Sequence, residues 1–157
     1  MLCRCRWPAE MGGPMQDELF SPTIQEQPAP GKPPWRPESI LYPAVFGGPL
    51  AAAALGVLNG GRLGLSSRRL LTIGAAGLVG FCARLAVSAA VDGNSGVRLA
   101  GMVIGALVWL VVLAFQRAPF RVYSYRGGEP ASLVGPGFAA VIGFGVLEAI
   151  LILVLVR

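Results

Sequence analysis

Two ionisable side chains stand inside long apolar runs of this chain: Arg84 within 70–91 and Glu148 within 131–156. A charge at the centre of a bilayer costs about 2.5–3.5 kcal/mol on insertion scales, so neither is retained without a partner or a task. Two chemistries fit. One is an ion pair tying the two runs together; the other is a proton or ion pathway, which ordinarily needs more titratable groups than two. Arg84 lies seven residues before Val91 and Glu148 nine before Arg157. At 1.5 Å per helical residue, both therefore sit ~10–13 Å from the ends of their runs. If both runs head for the same membrane face the depths match, and the sequence predicts an Arg84–Glu148 pair. Glu38 is the competing acid, because Arg84 could snorkel toward it.

Other chemistry is scarce. The chain has no histidine, which removes the usual general base, a common metal ligand, HExxH zinc sites and any Ser-His dyad. The single lysine, Lys32, follows Pro28-Ala29-Pro30-Gly31 and makes no phosphate-binding Gly-x4-Gly-Lys. Asp92 is the only aspartate beyond the N-terminal stretch, so a paired-aspartate site is excluded. Cys3 and Cys5 lie far from Cys82 and form no disulfide framework. The expectation is a non-enzymatic protein without a cofactor.

The elements that must position Arg84 and Glu148 are membrane spans. Of 157 residues 54% are hydrophobic and 13% charged, with a mean hydropathy of +0.64, a composition that suits a bilayer better than one soluble core. Thirteen basic residues outnumber eight acids, but they stand singly or in pairs between apolar runs, as expected for anionic headgroups rather than nucleic acid. Twelve of the thirteen are arginine, which suggests a GC-rich bacterial gene and hence the inner membrane.

Residues 1–38 hold eight of the thirteen prolines and read as a disordered, proline-rich tail with no secretory signal. Residues 39–157 read as an all-α, membrane-embedded bundle of four transmembrane helices, at about 40–60, 70–91, 97–115 and 131–156, each near the ~20 residues a crossing needs. Pro49 lies deep enough in the first run to kink it, freeing a carbonyl near Val45 or Phe46. The stretch Gln116–Pro130 alternates Arg117, Arg121 and Arg126 with Phe120, Tyr123 and Tyr125, and reads as an interfacial or solvated loop.

Four crossings put both termini on one side. The two loops opposite carry six arginines, against Lys32, Arg36, Arg98 and Arg157, so the positive-inside rule leans toward both termini outside the cytoplasm.

Helices in lipid associate through close backbone approach. The pairs Gly56/Gly60 and Gly101/Gly105 are GxxxG motifs; Ala76/Gly80 and Ala139/Gly143 are weaker small-xxx-small pairs. They predict helix contact within the chain, with homo-oligomerisation the alternative.

The element Leu19-Phe20-Ser21-Pro22, the segment Phe46-Gly47-Gly48-Pro49-Leu50-Ala51, and Asn59 with Arg62-Leu63-Gly64 together resemble an uncharacterised family of small bacterial multi-pass membrane proteins. Its members open with Leu-Tyr-Ser-Pro, continue into a Gly-Gly-Pro-Leu-Ala helix and exit through Asn…Leu-Gly. The match covers about the first third of the chain, with a looser Gly127-Gly128 before the last run. Phe20 replaces tyrosine, and a proline-rich stretch separates Ser21-Pro22 from the first run. The resemblance implies a bacterial membrane location and carries no activity. The functional expectation is a structural or accessory component of a membrane complex, whose partners are the lipid bilayer and a membrane protein or second copy. A small transporter or channel component is the alternative.

Overall fold

The computed structural model describes residues 31–91 and 94–156; of the tail expected at 1–38, residues 1–30 lie outside them. The chain is all-α: a 3-10 turn at Pro37–Ile40, then α1 (Leu41–Arg62), α2 (Ser67–Ala90), α3 (Asn94–Tyr125) and α4 (Val134–Val156). Among the described residues four helices are long and apolar enough to cross a membrane.

One compact unit spans Lys32–Arg157 and so includes residues ahead of the boundary at 39 expected from proline content. Trp35 is the reason. It is 3% exposed within the main apolar cluster beside Ile40, Leu55 and Ile73. Its indole is also covered by the Arg62 guanidinium, 3.7 Å from the ring centroid. The prolines around it fix an extended backbone, and Pro34 O accepts from Ala131 N at 3.0 Å.

Helix α1 is broken at Gly48, whose φ of 83° and ψ of −175° belong to no helix. The break is far sharper than a proline kink. A straight helix from Leu41 to Asn59 would be ~27 Å long, and the six residues from Trp35 to Leu41 could reach at most ~22 Å even if fully extended. Yet Trp35 N donates to Asn59 Oδ1 at 2.7 Å, and Asn59 Nδ2 donates to Trp35 O at 3.1 Å. The chain must double back, and contacts with α3 trace it doing so. The first limb descends from Pro37, whose carbonyl accepts from Trp109 Nε1 at 3.0 Å, to Ala44 against Gly105. The second limb rises from Pro49, near Gly80, to Gly56 against Val112 and Gly60 near Gln116. Pro49 is thus the first residue of the second limb, where a missing N–H costs nothing and the fixed φ suits a helix start.

Helices α2, α3 and α4 surround this hairpin. α1 is the most buried of the four, at 61% of its apolar window, against 17%, 22% and 11% for the others. The outward faces of α2–α4 carry residues such as Leu71, Leu78, Leu107 and Ile142, as lipid contact demands.

Helix α3 runs to Tyr125, through the stretch 116–125 expected to be loop. Pro119 removes only one hydrogen bond, near the helix end where water can replace it, while Arg and Ala neighbours favour helix. Both α1 and α3 stop at glycines in left-handed conformation, Gly64 (φ 68°) and Gly127 (φ 78°). The next residues, Leu65 and Gly128, donate back to Gly60 O and Tyr123 O at 2.9 and 3.2 Å, which closes the helix ends as Schellman turns.

Of the expected small pairs, Gly56/Gly60 and Gly101/Gly105 are buried inside the chain. A side chain at Gly105 would strike the Ala44 carbonyl oxygen. On α2 the packing glycines are Gly77 and Gly80, with Ala76 only half-buried. On α4 the expectation of internal contact fails: Ala139 is exposed and nothing among the described residues approaches Gly143, because α4 meets the hairpin through the row Gly137, Ala140, Phe144 and Glu148 instead.

Candidate functional site: the hairpin tip and its base

Two polar clusters hold the hairpin. At its tip, Arg84 Nη1 is paired with Glu148 Oε2, the partnership the depths of the two residues predict. Glu38 is exposed and forms no ion pair among the described residues. Glu148 is fully buried and Arg84's side chain 20% exposed.

The reason two charges are tolerated here lies in the break. Breaking a helix creates a positive N-terminal end and a negative C-terminal end, and at Gly48 the two lie side by side. Glu148 Oε1 accepts from Leu50 N at 3.0 Å, so the carboxylate caps the second limb and takes a donor that a continuous helix would have given to Phe46 O. Pro49 has no N–H to give Val45 O, and Leu50 N is spent on Glu148 rather than on Phe46 O, so the helical donors of both carbonyls named from the sequence are withdrawn. The Arg84 guanidinium lies against Gly48 and Gly101, and neither position has room for a side chain beside it. Arg84 Nε has no hydrogen-bond partner among the described residues.

The base cluster is built from residues to which the sequence expectations give no site role. Asn59 and Gln116 are fully buried. Beyond its two bonds to Trp35, Asn59 Nδ2 donates to Gln116 Oε1 at 2.7 Å, and Gln116 Nε2 donates to Gly56 O. The Asn59 amide acts as a one-residue strand partner for Trp35, spending both its donors and an acceptor. Arg62 Nη1 adds a bond to Pro33 O at 3.0 Å. Tyr42 ties the first limb to α4 by donating to Leu133 O at 3.0 Å. The available signal is one amide, Asn59, inside an otherwise apolar run. Its geometry has no local signature, because Trp35 falls in the stretch expected to be tail and Gln116 in the stretch expected to be loop.

Asn59→Leu should strand the Trp35 N–H and C=O and one Gln116 group in an apolar interior. At about 1–3 kcal/mol per unsatisfied group, a loss of roughly 3 kcal/mol or more is expected. Thermal unfolding in detergent should show it; an unchanged midpoint would mean that the base cluster does not hold the hairpin.

Among the described residues no group of His, Cys, Asp and Glu is placed to hold a metal. A surface depression of about 730 Å³ forms an open groove along α3 from Leu110 to Tyr125 and includes Arg117 and Arg121. No protein family, curated protein or solved structure matches the chain.

Proposed function

We propose that this chain is a non-enzymatic structural or accessory protein of the bacterial inner membrane. The observation that carries the reading is how its interior polar groups are used. Asn59, Gln116 and Glu148 each bond across elements to hold the α1 hairpin in place, which makes the hairpin a fixed central post. The surface it supports faces outward: α4 is 11% buried over its apolar window and presents Ala139 and Gly143 away from the bundle. Small residues on a lipid-facing helix allow a second membrane helix to approach closely, so the reading expects a membrane partner or a second copy on α4.

Mild-detergent purification with in-membrane cross-linking from cysteines introduced at Ala139 and Ile142 tests this. A stoichiometric cross-linked species is expected, and uniform recovery of uncross-linked monomer would count against the reading.

A second reading is favoured by one feature. Discontinuous helices meeting a charged residue at membrane depth are a recurrent device of transporters, and the Gly48 break beside a partly exposed Arg84 has that form. A small transporter or channel component would show solute or ion flux in liposomes that Arg84→Gln and Glu148→Gln alter. Flux untouched by either substitution would remove this reading.

A further inference from the structure

We infer that α1 does not cross the membrane: it enters from one face, turns at Gly48 and leaves by the same face, and so gathers a basic surface that rests on the anionic headgroups of the cytoplasmic leaflet. Four points support this. The base of the hairpin is a single level at which Pro33, Trp35, Asn59 and Arg62 bond to one another. The Arg62–Ser67 connection leads directly from that level, and Ala131, which bonds Pro34, returns to it. The tip backbone at Gly48 lies against Gly105 on α3, the Arg84 guanidinium that pairs there lies against Gly101, and the base lies against Gln116. Even from Gly101 to Gln116 the helix measures ~22 Å, short of the ~30 Å hydrocarbon core. Finally, α2, α3 and α4 each run on past the tip, through 85–90, 94–100 and 149–156, which adds ~9–12 Å. Non-helical backbone such as Gly48 is tolerated at membrane depth only when covered by protein, and α2, α3 and α4 cover it.

Three crossings and one re-entrant hairpin change the charge count. Lys32, Arg36, Arg62, Arg68, Arg69, Arg117, Arg121 and Arg126 now share the base face, while Arg98 and Arg157 belong to the other. Four straight crossings divide the same residues six to four; the hairpin divides them eight to two. The positive-inside rule then places the base face, and with it Lys32, in the cytoplasm and the end of α4 outside. The exposed arginines at 117 and 121, one turn apart on α3 above apolar Leu110 and Ala114, meet neither an acid nor a hydrogen-bonding partner among the described residues. Anionic lipid phosphate is the complementary charge at that level.

The test is sidedness. In a chain with Cys3, Cys5 and Cys82 replaced by serine, single substitutions Lys32→Cys, Ser66→Cys, Glu129→Cys and Ser95→Cys are probed with a membrane-impermeant maleimide in spheroplasts and inverted vesicles. The first three should label only in inverted vesicles and Ser95→Cys only in spheroplasts. Labelling of Lys32→Cys from the same side as Ser95→Cys would restore a crossing α1 and overturn the inference; labelling of the first three in spheroplasts would overturn the orientation. For the headgroup contact, the full chain in nanodiscs should melt about 5 °C higher when phosphatidylglycerol is added to phosphatidylcholine, a shift that high salt erases. Equal midpoints in the two lipids would overturn that part.

Discussion

Gly48→Ala is expected to abolish accumulation of folded protein, while Pro49→Ala, one residue on, is expected to cost only about 1 kcal/mol. The contrast follows from which residue makes the turn. Gly48 holds φ 83° with ψ −175°, a region open in practice only to glycine and costing about 1–3 kcal/mol for other residues. A methyl group there would also meet the Glu148 carboxylate and Arg84 guanidinium. Neither can retreat without losing its partner, so the steric cost adds to breakage of the pair. At Pro49 the second limb has already begun, and alanine starts a helix nearly as well. The loss there is the packing of a buried ring near Gly80. Membrane-fraction abundance and a monodisperse detergent elution peak are the measurements. If Pro49→Ala were the more damaging of the two, the proline would be making the turn and the assignment to Gly48 would fall.

Much of this fold is legible in the sequence, and the part that is not has a physical cause. Apolar length fixed the helices because a bilayer admits little else, and the second, third and fourth runs lie where hydropathy put them, apart from the extension of α3 through Pro119. The Arg84–Glu148 pair was readable because buried charge is expensive and the depths agreed. The doubling back of α1 was not readable. A run of 22 residues from Leu41 to Arg62 has the length of a crossing, and hydropathy records length without direction. Gly47-Gly48-Pro49 announced a weak point, but a kink and a reversal share that composition. What decides between them is Trp35 meeting Asn59, a contact across 24 positions with no local signature. The polar amides were likewise visible as residues and silent about their partners.

The tip pair and the break explain each other, and this gives the second large expectation. Glu148→Gln keeps an oxygen for Leu50 N–H but leaves Arg84 without its counter-charge; Arg84→Gln leaves the buried carboxylate with only that amide and the limb's N-terminal end. Breaking one side of a buried pair costs about 3–5 kcal/mol. Each single variant should therefore lose most of its folded population in detergent. The double variant Arg84→Gln/Glu148→Gln carries no buried charge, keeps an acceptor for Leu50 N–H and places two amides within reach of each other. It should be more stable than either single variant, with a coupling of about 2 kcal/mol or more. Thermal unfolding of the four proteins under one detergent condition gives the cycle directly. Additive losses would show that the two side chains act independently, and the capping of the second limb by Glu148 would then have to stand without Arg84. A rescued double variant would mean that the charges are held for each other and for the broken helix ends, as expected where a hairpin must be pinned inside lipid.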